Sequence, residues 1–94
     1  MKNWHTKKLK NLALALSTIK NIKDMKNFLR DLCTLEELEE LSGRWEVVLM
    51  LNKGKSYREI ANLTGMSTTT VTRIAHWLNH GEGGYRSALL NKNK

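Results

Sequence analysis

The sequence predicts an all-α protein, and three observations carry that expectation. Apolar residues recur at intervals of three and four along most of the chain, the period of a helix that buries one face. Helix-boundary chemistry stands where those stripes begin and end: "TLEE" at 34–37, a serine at 67, and glycines gathered at 43–65 and 81–84. Proline is absent and 40% of residues are apolar, a composition that suits a compact helical chain better than a β-rich one. A chain of 94 residues buries at most about two-thirds of its surface, and short helical chains often make up the deficit by oligomerising.

The elements follow in order. Leu9, Leu12, Leu16 and Ile19 form one stripe with Lys7, Lys8, Lys10 and Lys20 around it. Ile22, Met25, Phe28, Leu29 and Leu32 continue it after a bend near Asn21. "TLEE" reads as a capping box, with the Thr34 hydroxyl accepting from the Glu37 backbone and the Glu37 side chain reaching back. Leu35, Leu38 and Leu41 line a short acidic helix that Ser42-Gly43 is expected to end. "RWEVVLMLNKG" at 44–54 is apolar nearly all round, as befits the central element of the core, and Gly54 stops it. Helices over Ser56–Thr64 and from Ser67 to about Asn79 come next. After "HGEGG" a last helix falls within 84–91, around Tyr85–Leu90, ahead of a frayed "NKNK" tail. No repeat or long linker divides the chain, so a single domain over 1–94 is expected.

Charge narrows the partner. Residues 1–30 carry eight Lys/Arg against Asp24 alone, residues 31–41 carry five acids and no base, and residues 42–94 carry eight bases against three acids. A basic chain with a net charge of +7 and an acidic band in its middle suits a polyanion, provided the bases share a face. An ordinary solvated surface has the same composition. Cys33 is the only cysteine, which excludes an intrachain disulfide and a cysteine metal cluster, and marks the chain as cytoplasmic. "KNLALALSTI" is too short and too polar for a secretion signal or a membrane span. His76 and His80 stand four apart with Glu82 nearby, but no third histidine or cysteine converges on them, so no metal site is expected. "GEGG" lacks the Lys-Ser/Thr pair of a phosphate loop, and no nucleophile–base arrangement stands out. An enzyme is not expected.

"YREIANLTGMSTTTVTRIAHW", residues 57–77, carries the functional signal. Ile60 faces inward, Ala61 is small where a second helix must cross closely, and Gly65 stands where the chain turns. Met66 plugs the corner, Ser67 caps the second helix, and Val71 and Ile74 return toward Ile60. That is the spacing of a DNA-binding helix-turn-helix. The alternative is a helical hairpin that serves only the core. The outer face supports DNA: Ser67, Thr68, Thr69, Thr70, Thr72 and Arg73 crowd the first turns of the second helix, where a recognition helix (67–79) meets base edges in the major groove. A threonine hydroxyl donates or accepts there, and its methyl packs on thymine. Arg58 reaches a base edge or a phosphate, with Lys53, Lys55, Ser56 and Tyr57 as phosphate contacts around it.

These blocks, with "DLCTLEELEEL" before them and "LNHGEGGYRSAL" after, resemble the Trp repressor superfamily, and within it the YerC/YecD-type branch of small helix-turn-helix regulators. The resemblance runs from about Leu29 to Leu90. It implies six or seven short helices in an intertwined homodimer, with residues 1–33 as dimerisation helices, 34–54 as the central core and 56–79 as the reading head. It implies a sequence-specific transcriptional regulator of double-stranded DNA, more in keeping with a repressor than an activator. The repressor that names the superfamily holds tryptophan between two arginines. Arg44 and Arg73 fall on those positions, and Thr34 falls on a threonine lining the same pocket. Ile74 replaces a glycine and Trp77 a small serine, so tryptophan is not expected as corepressor here. Arg44 and Arg73 can instead pair with acids such as Glu40 or Glu46. Two other readings stay open on the sequence: a helical protein–protein interaction module, and a basic protein that binds nucleic acid without sequence preference.

Overall fold

The computed structural model describes residues 3–92. Among the described residues it contains six α-helices and no strand: α1 (Lys7–Thr18), α2 (Ile22–Leu32), α3 (Leu35–Asn52), α4 (Tyr57–Thr64), α5 (Thr68–His80) and α6 (Gly84–Lys92). The chain divides into two compact units, with the boundary inside α3 between Leu38 and Glu39.

In the N-terminal unit each helix begins on a polar side chain. Thr6 caps α1 by accepting from the Leu9 backbone N–H at 3.1 Å. Asn21 caps α2, accepting from the Asp24 N–H at 2.8 Å while its amide donates to the Asp24 carboxylate at 2.8 Å. The bend expected near Asn21 is thus a complete break, because an asparagine that satisfies a following N–H favours extended backbone over a continued helix. The capping box forms in both directions: Glu37 N–H donates to Thr34 Oγ1 at 3.1 Å, and Thr34 N–H donates to Glu37 Oε1 at 2.9 Å. Neither α1 nor α2 contains a fully buried residue. Leu12, Leu16, Met25, Phe28 and Leu29 are half-buried, whereas Leu14 is 54% and Ile22 80% exposed.

The break expected at Ser42-Gly43 is absent. The acidic segment and the apolar segment form one helix of 18 residues, about 27 Å long at 1.5 Å per residue. A helical glycine costs about 1 kcal/mol relative to alanine, too little to stop a helix whose next turns are anchored in a core. The space beside Gly43 is taken by the terminal methyl of Met66, the flexible end of that side chain. The tail expected to fray at 91–94 differs where it is described. Asn91 and Lys92 belong to α6, and residues 93–94 lie outside the described residues.

From Glu39 on, one core organises the C-terminal unit. Val47 and Val48 of α3, Ile60 of α4, Val71 and Ile74 of α5 are fully buried, with Leu78 and Leu89 nearly so. Ala61, Met66, Trp45 and Tyr85 pack against this cluster. The buried positions of α5, Val71, Ile74, Ala75 and Leu78, stand at i, i+3, i+4 and i+7, one face of a helix. α6 is tied back by Arg86, whose guanidinium donates to Asn79 Oδ1 at 2.7 Å, and by Tyr85, whose ring centroid lies 6.3 Å from that of Trp45.

Candidate nucleic-acid interface

The turn before α4 positions the first group of cations. α3 ends in a Schellman motif: Lys55 N–H donates to Met50 C=O at 3.2 Å and Gly54 N–H to Leu51 C=O at 3.0 Å. Gly54 takes φ +84°, which a side chain would strain. Lys53 and Lys55 flank that glycine. Lys53 is exposed without an ion pair among the described residues, and Lys55 is half-buried and makes a long pair of 3.9 Å with Glu59. Ser56 then caps α4, its hydroxyl accepting from the Glu59 N–H at 3.1 Å. That leaves Tyr57, 43% exposed, and Arg58, also exposed, in the first turn of α4. Arg58 has no side-chain partner among the described residues.

The second turn sets α5. Gly65 takes φ +77° and its N–H closes on Ala61 C=O at 2.9 Å. Thr64 donates its hydroxyl to Ile60 C=O at 2.7 Å and accepts from the Met66 N–H at 3.2 Å, which ties the corner to the end of α4. Ser67 caps α5 by accepting from the Thr70 N–H at 3.1 Å. Opposite the buried face of α5, Thr69, Arg73, His76 and His80 recur at i, i+4, i+7 and i+11, all exposed. Thr68 and Thr72 flank that stripe, also exposed, and Thr70 is half-buried. Arg73, like Arg58, has no side-chain partner among the described residues. The arrangement offers two unpaired arginines, a row of short polar side chains at a helix N-terminus, and flanking lysines. Such a surface can meet base edges and phosphates together.

His76 and His80 were expected from their spacing as surface histidines and not as metal ligands. Their rings lie 5.1 Å apart between centroids, and no group of three potential metal ligands occurs among the described residues. Counting turns from Thr69 and Arg73 would have placed them on the outward face of α5.

The three residues assigned to an effector pocket are differently engaged. Thr34 is held in the capping box of α3. Arg44 donates to Glu40 Oε1 at 3.0 Å, one of the two acids expected from spacing, and its guanidinium carbon stands 5.7 Å above the centre of the Trp77 ring. Arg73 makes neither contact. Ile74, which follows it, is fully buried in the core. The Arg44–Trp77 stacking was not legible in the sequence, because only the core that joins α3 to α5 brings residues so far apart together.

Comparison with known proteins agrees with this architecture. The profile of the Trp repressor protein family matches residues 7–93. The uncharacterized protein YerC of Bacillus subtilis (strain 168) is 37% identical over 83 residues, spanning 88% of this chain and 80% of its own length. The crystal structure of a TrpR-like protein from Eubacterium eligens ATCC 27750 superposes with a TM-score of 0.86 at 34% identity, covering 95% of this chain and 92% of the other. A candidate Trp repressor from Staphylococcus aureus gives the same TM-score at 32% identity, covering 95% and 89%.

Proposed function

The chain belongs to the Trp repressor family, and from that premise we propose that it is a sequence-specific, double-stranded DNA-binding transcriptional repressor. It is a regulator rather than an enzyme. The observation that carries the reading is the outward side of the α4–α5 hairpin, where Arg58, Arg73, Thr68 and Thr69 are exposed around a turn held by Thr64. In this reading residues 67–79 lie in the major groove and Lys53, Lys55, Ser56 and Tyr57 hold phosphates. The protein acts in the cytoplasm; no helix among the described residues is long and apolar enough to cross a membrane.

The acting species is a homodimer. Support comes from the apolar side chains that the N-terminal unit leaves exposed, Leu14, Ile22 and Leu32 among them, on helices with no fully buried residue. Tryptophan is not its corepressor. The Arg44 guanidinium already has Glu40 and the Trp77 ring as partners, and Ile74 belongs to the core.

Fluorescence anisotropy on labelled duplexes tests the first claim. Binding falls linearly with the logarithm of salt concentration as phosphate contacts are lost. Arg58→Ala costs about 1–3 kcal/mol of binding. A wild-type protein that binds every duplex equally at moderate salt would contradict the reading. Added tryptophan leaves the midpoint unchanged, and a tryptophan-dependent shift would restore the corepressor.

A further inference from the structure

We propose that the threonine run of α5 is divided by its own hydrogen bonds, and that Thr72 selects thymine in the bound duplex through its methyl group; this rests on the DNA-reading assignment above. The hydroxyl of Thr72 donates to the Thr68 carbonyl at 2.8 Å. Ser67 Oγ donates to Thr70 Oγ1 at 3.0 Å and accepts from the Thr70 N–H at 3.1 Å. Three of the five hydroxyls at 67–72 are therefore engaged inside the helix. Thr68 and Thr69 keep theirs free among the described residues, and both are exposed.

Thr72 is exposed as well, one turn beyond Thr68. With Oγ1 turned back onto the helix its proton is committed, so Thr72 cannot donate to a base, and Cγ2 is its apolar group for a ligand. The major-groove edge of a base pair offers one apolar group, the thymine 5-methyl. A side chain that has no proton to donate and turns a methyl outward from the first turns of a recognition helix is complementary to it. Thr68 and Thr69, with free hydroxyls, are the hydrogen-bonding readers, and Thr72 is the apolar one.

The test uses a duplex recovered by the full-length protein from random DNA, with each thymine replaced in turn by deoxyuridine. That change removes the 5-methyl and keeps every hydrogen-bonding group. At one thymine per half-site the wild type loses about fourfold in affinity, the factor that corresponds to one buried methyl. Thr72→Val, which keeps the methyl and removes the hydroxyl, keeps the discrimination between the thymine and deoxyuridine duplexes. Thr72→Ser binds the thymine duplex more weakly and no longer distinguishes it from the deoxyuridine duplex. The proposal is overturned if the wild type is indifferent to every replacement, if Thr72→Ser still discriminates, or if Thr72→Val loses the discrimination. Failure to recover any preferred duplex overturns the DNA-reading assignment itself, whereas a clear consensus without methyl dependence overturns only the role of Thr72.

Discussion

Gly65 turns the chain between α4 and α5 at φ +77°, and nothing lies within 4 Å of where its Cβ would stand. The cost of a side chain there is therefore conformational and not steric. Gly65→Ala should lower stability by about 1–2 kcal/mol in urea unfolding, the cost of holding an L-residue in the left-handed region. An unchanged midpoint would mean that the turn relaxes. This position was legible in the sequence because its signal is local: a glycine between two apolar stripes, followed by a capping serine. So was the Thr34–Glu37 capping box, whose two bonds span three residues. The hydroxyl partners of Thr70 and Thr72 were not legible. They depend on side-chain rotamers within a formed helix, and sequence spacing says nothing of which rotamer a threonine adopts.

At the scale of the element, the weakness of α5 as an intrinsic helix is offset from two sides. Val71, Ile74, Ala75 and Leu78 anchor one face in the core, and Ser67 satisfies the Thr70 N–H at its start. Ser67→Ala should destabilise the protein by about 1 kcal/mol. It should also weaken DNA binding, because the same serine pairs with Thr70 and orders the first turn. Circular dichroism melts and anisotropy read the two effects separately, and a stability loss with no effect on DNA would detach the cap from the reading surface. Ile74→Ala, which empties a fully buried site, should cost about 2–5 kcal/mol in the same melts. The largest difference from the sequence reading is inside α3. Ser42-Gly43 carries the local signature of a helix end, but the stop is overridden by tertiary packing. Val47 and Val48 hold the helix one turn later, and the Met66 methyl occupies the space beside Gly43.

At the scale of the whole molecule, the two units differ in how their apolar residues are used. The C-terminal unit has a closed core of fully buried aliphatic side chains, and the N-terminal unit has stripes that reach only half-burial. The periodicity of Leu9–Ile19 made that stripe legible, but a stripe does not say what covers it. A second copy is the occupant we assign, and Leu14→Glu should then shift sedimentation equilibrium from dimer toward monomer; a wild type that sediments as a monomer would contradict it. The charge pattern was legible as a total. Its meaning came from the positions of Arg58 and Arg73, two exposed guanidinium groups on the hairpin with no ion pair among the described residues. The most direct measurement of the central claim is selection of bound sequences from random duplex DNA with the full-length protein. A two-fold symmetric consensus, with half-sites about one helical turn apart, is the result this account predicts. Recovery of sequences no different from the starting pool would contradict it.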